Sequence, residues 1–516
     1  MSDIKADLIL HNARVITLDQ TLPAATMVAV KGNSIMAVGG EHEVKLFSGA
    51  DTSLIDCECK AVIPGFNDSH CHPLSLAMTL LHLDCSSAFV RNISEIQALI
   101  CEQANSTAKS KWIRAAKYNE SNLAEKRHPT RWELDEAAPG NPVILIHDSA
   151  KSCVLNSVAL RQVGITEDSS DPPAGHLGRD DVTGQLNGMI IGRNEQVENG
   201  IPPLDQEDIQ QGIKLANQDY LSHGITSLCD TTWSNTTGHW DFLRKIKESG
   251  ELSPRVTMMA GTNAVTEFQE RDLHTGSGDD QLRVGATKIA LDESTGCAHP
   301  PQDELNDHAL RAHRAGFQLA FHVHDIQTLQ GALASLQFIV QNDPTPYSRP
   351  RLEHCGVCPP ALISKLRTFE VIVATQPCFL YYLGETYRRE VTAEQLTWLY
   401  PLRSFSSQGV ITTTSSDSPL FPCNPLIGIY TAVTRKDKCG QTISPEESVS
   451  SPDALRMYTL WPAYASFEEK SKGSISPGKL ADLVVLSDDP TEVEPERIRD
   501  ISAMLTIING HVIWTI

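Results

Sequence analysis

Two histidines one residue apart stand where an apolar stretch runs out: Ile63-Pro64-Gly65-Phe66-Asn67-Asp68-Ser69-His70-Cys71-His72-Pro73. In an extended chain, residues i and i+2 share a face. His70 and His72 therefore project together, a geometry that suits two imidazoles on one metal ion. Alone, the pair reads equally well as two surface histidines beside a turn. Its setting favours metal: apolar Ala61-Val62-Ile63 precedes it, an aspartate lies two residues upstream, and further ligand-type residues follow. These are Lys288 in Gly285-Ala286-Thr287-Lys288, His322 and His324 in Phe321-His322-Val323-His324-Asp325, His354 in Arg351-Leu352-Glu353-His354-Cys355, and Asp417 in Ser415-Ser416-Asp417-Ser418-Pro419. Each has a plain structural reading: a hydrogen-bonded histidine, a salt-bridged core lysine, an aspartate capping a helix. Imidazole and carboxylate donors together suit zinc, with manganese, iron and nickel compatible. A metal ion lowers the pKa of bound water to about 7 and polarises a carbonyl. A carboxylate beside that water can take its proton and hand it to a leaving nitrogen, the role read for Asp417.

The elements that must position these residues show a repeating rhythm. From about residue 204, amphipathic helices alternate with short apolar strands at 225–230, 255–260, 284–292, 319–325, 351–355, 371–376 and 410–417. With the strand ending at His70 these make eight. Strand–helix alternation in eight units predicts an α/β fold, a closed (β/α)8 TIM barrel, over 61–72 plus 202–472. Active sites of such barrels lie at the C-terminal ends of the strands, and every candidate falls there. The two chain ends, 1–60 and 473–516, both read as β structure, each with too few apolar residues for its own core. They are expected to pair into one composite β-sandwich. Residues 73–201 mix helix, strand and a Gly/Pro/Asp-rich stretch, too long for a simple connection. They read as an inserted α+β subdomain or lid.

Composition sets limits. The chain has 516 residues, of which 41% are hydrophobic, and carries a formal net charge of −21. That balance speaks against nucleic acid or an anionic membrane as partner and leaves a small molecule as the expected one. No apolar run is long enough to span a bilayer. The opening Met1-Ser2-Asp3-Ile4-Lys5 lacks a basic stretch followed by an apolar core, so a cytoplasmic location is expected. The 13 cysteines are scattered and read as reduced thiols. Cys355-x-x-Cys358 and Cys57-x-Cys59 lack the second pair that zinc-finger spacing needs. Nothing in the sequence locates a subunit interface, although a homodimer is compatible with a barrel of this kind.

The order H-x-H, Lys, His, His, Asp resembles the metal-dependent amidohydrolase superfamily, in its type 3 branch of N-substituted formamide deformylases and YtcJ-like proteins. The resemblance covers nearly the whole chain. It rests on Pro64-Gly65-Phe66-Asn67-Asp68-Ser69-His70-Cys71-His72, Arg127-His128-Pro129-Thr130-Arg131-Trp132-Glu133-Leu134-Asp135, Asn156-Ser157-Val158-Ala159-Leu160, Glu353-His354, Ser416-Asp417-Ser418-Pro419 and the closing Gly473–Leu483 run. It implies His70, His72, His322, His354 and Asp417 as metal-site residues, Lys288 as a carboxylated bridge between two ions, and hydrolysis of a C–N bond by a metal-activated hydroxide. The chain departs from the branch at Lys151, where a histidine is usual, at Asp292-Glu293-Ser294-Thr295-Gly296-Cys297, and at Val323-His324-Asp325-Ile326. His324 shares a face with His322 and is open to two roles, a replacement or additional ligand or a substrate contact, with His322 favoured as the ligand. Trp233, Phe379, Tyr381, Tyr382 and Phe421 follow strands two, seven and eight and are candidates for an apolar slot. Lys151 and Arg193 are candidates for an anionic group.

The expected substrate is a small amide, N-substituted formamide or urea-like compound. A second reading is a deaminase or cyclic-amide hydrolase on a heterocyclic ring. A third is a catalytically inactive barrel serving as a binding or scaffold protein, against which the full set of ligand-type residues speaks.

Overall fold

The computed structural model describes residues 5–516 except 23, 88, 150, 172–174, 193–194, 292–299, 344 and 347–348. It divides into two units, one of Met1–Ser75 with Ala216–Ile516 and one of Leu76–Leu215. The stretch 292–297 and Arg193, singled out above, lie outside the described residues.

The larger unit is built on an eight-stranded parallel sheet that curls into a nearly closed barrel. Its strands are Phe66–Cys71, Ile225–Asp230, Arg255–Gly261, Leu282–Ile289, Leu319–Val323, Arg351–His354, Ile372–Thr375 and Thr412–Thr414. Helices cover the outside and side chains fill the inside, so the strands are buried almost throughout. Strands one and eight stand at the two ends of the pairing order. They are joined largely through side chains and the residues just past their ends. Ser69 Oγ meets Thr413 Oγ1 at 2.9 Å, Ser416 N donates to Asp68 Oδ1 at 3.1 Å, and Asp417 N donates to His70 O at 2.9 Å.

Both chain ends contribute to the sandwich. Leu8–His11, Met27–Lys31, Ser34–Gly39 and Ser53–Asp56 make one four-stranded sheet. The C-terminal Leu483–Leu486, Ala503–Ile508 and His511–Thr515 join Ala61–Pro64, Arg14–Ile16 and Ala24–Ala25 in a six-stranded sheet. The run at 6–18 holds two strands. It breaks at Asn12, whose φ of 47° is left-handed, a conformation asparagine tolerates, and its halves enter different sheets. Leu10, Val28, Val62, Leu483, Val485 and Ile507 fill the space between. The chain crosses from sandwich to barrel at Gly65. A Cβ there would lie 2.1 Å from Thr226 Oγ1, so only glycine lets strands one and two approach. Buried Arg255 clamps the junction, its Nε 2.6 Å from Asp482 Oδ2.

The second unit has a six-stranded mixed sheet, in the order Gly175–Arg179, Leu186–Gly192, Ser152–Leu155, Val143–His147, Ile113–Tyr118 and Leu83–Asp84, with helices including Ile93–Ser106. The insertion read as 73–201 corresponds in the structure to the unit Leu76–Leu215, whose second border falls inside helix Gln206–Ser222. Two of the quoted motifs are folding devices of this unit. Glu133 accepts from Thr130 N at 2.7 Å and pairs with Arg127 at 2.6 Å. Asp135 accepts from Ser157 N and Oγ at 2.8 and 2.6 Å. Asn156 Oδ1 caps helix Ser157–Gln162 by accepting from Ala159 N and also takes Val143 N. Among the described residues, no helix is long and apolar enough to cross a membrane.

Candidate metal centre

At the C-terminal mouth of the barrel the first strand presents His70 and His72 to Asp417, which follows strand eight. His72 Nε2 lies 3.1 Å and His70 Nε2 3.6 Å from Asp417 Oδ1. The other ring nitrogen of each histidine is already engaged. His70 Nδ1 is 2.6 Å from Glu353 Oε2, and His72 Nδ1 is 2.9 Å from Thr232 Oγ1. Glu353 can only accept, so His70 carries its proton on Nδ1 and turns a lone pair on Nε2 toward the mouth. Glu353 is in turn held by the guanidinium of Arg351, at 2.7 and 3.1 Å, and Arg351 Nη2 also donates to Ser69 O at 2.8 Å. Arg351 and Glu353 are both wholly buried. A carboxylate behind a histidine that faces a cation is the arrangement that fixes ligand tautomer and orientation.

His354 closes the base of the site. Its Nδ1 lies 2.8 Å from Gln376 Oε1, and Gln376 Nε2 donates to Ser415 Oγ at 2.9 Å. In a regular strand, neighbours Glu353 and His354 would point to opposite faces. His354 instead has a φ of 70°, followed by Cys355 at 47°. This left-handed step brings the ring back over the barrel, within 4.5 Å of the His70 ring centroid. Left-handed backbone at non-glycine residues is costly, on the order of 1–3 kcal/mol, and concentrates at functional sites. Asp417, at φ 57°, shares the feature.

Strand five brings in two more imidazoles. The His322 ring lies 4.6 Å from both His324 and His354, and His324 stacks on His354 at 4.2 Å with planes 17° apart. The strand ends at Val323, and Asp325, read above as its last residue, instead caps helix Ile326–Asn342 by accepting from Thr328 N at 2.8 Å. His324 is densely surrounded, yet its ring still meets solvent at the mouth.

Electrostatics suit a cation. Burial is the main cause that holds His70, His322 and His354 below the ordinary histidine range, His322 at about 2, so these rings are neutral and can offer lone pairs. Lys288, 3% exposed, points into the same charge field, and burial brings its pKa down to about 8. Its Nζ has no hydrogen-bond partner among the described residues, a state a buried amine rarely keeps. Asp68 behind the histidine strand is raised by burial to about 7. The ligand-type atoms of His70, His354 and Asp417 all lie within 4.8 Å of one another, as do those of His322, His324 and His354. Inward nitrogens with engaged partners behind them, neutral rings and an unpartnered amine fit a divalent cation.

The remaining candidates lie as follows. Phe379 stands 6.4 Å from the His354 ring and 5.1 Å from Phe421, which stacks on Tyr382 at 4.6 Å. These three form a wall running outward from His354. Tyr381 faces Tyr430 of helix Pro425–Thr434 at 6.0 Å. Trp233 is 60% exposed in the loop after strand two. Lys151 is exposed and belongs to the Leu76–Leu215 unit. The sequence reading assigned no role to Arg351, Glu353, Gln376 or Thr232. Arg351 and Glu353 carried a signal, since alternate positions of a buried strand bore opposite charges. Gln376 and Thr232 carried none. A further cluster, Asp219, His223 and Cys423, also has metal-type spacing. His223 Nδ1 is already bonded to Asp219 O at 2.8 Å, and Cys423 Sγ to Asp219 Oδ2 at 3.4 Å.

Comparison with known proteins places this geometry in context. The model of the Amidohydrolase family matches residues 53–514. An N-substituted formamide deformylase of Arthrobacter pascens is 28% identical over 535 aligned positions, covering 98% of this chain and 97% of its own. The putative amidohydrolase YtcJ of Bacillus subtilis (strain 168) is 24% identical, covering 98% of each chain. Among solved structures, an uncharacterized metal-dependent hydrolase from Pyrococcus furiosus superposes with a TM-score of 0.76 at 22% identity, over 94% of this chain and all of that one. Atrazine chlorohydrolase TrzN from Arthrobacter aurescens TC1, complexed with zinc, gives a TM-score of 0.55 at 15% identity, over 98% and 95%. At these identities the structural likenesses establish the shared barrel architecture.

Proposed function

The chain belongs to the amidohydrolase family, as a metal-dependent hydrolase of C–N bonds, and from that membership we propose zinc-dependent hydrolysis of a small N-substituted amide, formamide or urea-like compound. The observation that carries the reading is the placement of Asp417 Oδ1 between the inward nitrogens of His72 and His70, at 3.1 and 3.6 Å. His70, His72 and Asp417 would hold one cation on the strand-one side. His322 and His354 would hold one on the strand-five side. Lys288, brought down to about 8 by burial, would when neutral add to carbon dioxide, an Nζ–C bond forming as a proton leaves, and the carbamate would supply further oxygen donors to the site. A divalent cation there supplies a lowered water pKa, about 7, and polarisation of the substrate carbonyl.

The chain's own residues do the rest. The Asp417 carboxylate accepts the proton of the attacking water and passes it to the leaving nitrogen. Glu353, Gln376 and Thr232 keep the three histidines turned toward the mouth. Phe379, Phe421 and Tyr382 offer an apolar face to the substituent on nitrogen, and the name of the Arthrobacter relative supports a formamide as the acyl part.

Asp417→Asn tests the reading on a panel of N-substituted formamides, open-chain amides and cyclic amides. Turnover per bound zinc is expected to fall by about 10²- to 10⁴-fold, zinc being counted in the same samples because Asp417 also stands in the ligand set. Normal turnover in the variant would remove Asp417 from the mechanism. Activity confined to ring substrates would turn the assignment to a cyclic-amide hydrolase.

A further inference from the structure

His324 has no part in the chemistry just described, yet it lies as close to the mouth's imidazoles as His322 does. We propose that His324 is a metal ligand, the third imidazole of a seat formed with His322 and His354 for a borderline divalent cation such as zinc. The inference rests on the metal-dependent reading above.

Three observations carry it. The ligand-type atoms of His322, His324 and His354 lie within 4.8 Å of one another. A tetrahedral zinc with bonds of about 2.0–2.1 Å holds its nitrogens roughly 3.3 Å apart, so closing the seat requires the His324 ring to turn out of its stack on His354. Second, His354 has one ring nitrogen to give, because its Nδ1 is spent on Gln376. It therefore serves one cation. The strand-one side already gathers two imidazoles and a carboxylate around Asp417 Oδ1, whereas on the strand-five side His322 and His354 are the only imidazoles beside Lys288 unless His324 joins them. Third, His324 is built in. Its backbone N donates to Thr328 Oγ1 at 3.2 Å, beside the cap that Asp325 makes on Thr328 N. Its ring lies flat on His354 at 4.2 Å, with no side-chain hydrogen bond among the described residues. A histidine held in place with both nitrogens uncommitted is in the state a ligand needs. Three neutral imidazoles suit zinc and its first-row neighbours and disfavour calcium or magnesium.

The test uses full-length protein stripped with a chelator. Zinc is titrated calorimetrically into wild type, His324→Ala and His324→Gln, and bound zinc is counted by elemental analysis after desalting. Both variants are expected to lose one zinc equivalent, or to bind it weaker by more than the roughly 10- to 100-fold that loss of an outer hydrogen-bond partner costs. The visible band of the cobalt-substituted protein should change with it. Melting temperatures of the metal-free proteins, expected to match because His324 reaches solvent, verify that each variant is folded. Should His324→Ala melt lower, His324→Gln alone decides. Wild-type zinc number and affinity in the folded variant would overturn the inference, and a loss of turnover with zinc binding intact would overturn it in favour of a substrate contact. A wild-type protein that takes up no zinc would instead overturn the metal-dependent reading, and this inference with it.

Discussion

The two sides of the barrel mouth are built differently. On the side of strands one and eight, both histidines have a partner behind them, Glu353 and Arg351 behind His70 and Thr232 behind His72, and the backbone of Asp417 is tied by its N–H to the His70 carbonyl. On the side of strands four and five, Lys288 Nζ and the rings of His322 and His324 make no hydrogen bond among the described residues. The first side is set before anything binds. The second is organised only by backbone and by ring contacts, so a bound cation would supply its missing partner. Geometry is thus paid for in advance on one side, and the binding energy of a cation must order the other.

Substitutions can break that contrast. The largest effect is expected from Arg351→Met. It leaves the Glu353 carboxylate buried with no countercharge, which costs about 3–5 kcal/mol in comparable sites. Urea unfolding of the metal-free protein measures it, and a loss below about 1 kcal/mol would show that the fixed side is not held as described. Glu353→Gln is next. It keeps shape and removes the charge that orients His70, so zinc affinity by calorimetry should fall about 10- to 100-fold.

Acidity sharpens the comparison further. His70, His322 and His354 have folded pKa values below the free value of 6.5. Below that pH the unfolded chain binds protons that the folded chain refuses, so stability falls as pH falls. Asp68, raised to about 7, works the other way and loses stability as pH rises from about 4 toward 7. His82, His128, His308 and His324 are lowered as well and His223 is raised, so the groups held low outnumber those held high and the net change is a loss toward acid. The melting temperature of the metal-free protein should drop by several degrees between about pH 7 and 5.5, and a flat profile would mean the rings are not held neutral. The smallest effect is expected from Lys288→Met in metal-free protein. An unpartnered buried amine contributes no favourable contact, so stability should stay within about 0.5 kcal/mol of wild type or rise. A loss comparable to that of Arg351→Met would erase the distinction between the two sides.

Much of this was legible in the sequence. The alternation from residue 204 onward marks the barrel, and the ligand-type residues stand at strand ends because apolar runs stop there. The backbone of strand six was not legible. Reading Glu353 and His354 as neighbours on a strand puts them on opposite faces, and nothing in Arg-Leu-Glu-His-Cys announces the left-handed turn at His354 that returns the ring to the mouth. Glycine or asparagine would have signalled it; histidine and cysteine do not. The partners Gln376 and Thr232 were equally silent, since a polar residue at a strand end has many uses. His324 was visible as a departure, but only the ring distances show that it joins the imidazoles and not the apolar wall.

The seam between strands one and eight has one further consequence. The barrel's ends meet through a few hydroxyls, a carboxylate and the backbone around His70 and Asp417, and residues 345 positions apart in the chain, His72 and Asp417, face each other across it. A cation seated there would act as a reversible clasp on the cylinder, tying its first stave to its last. Stripping it should let amide protons along both staves exchange with solvent sooner than those on the opposite wall.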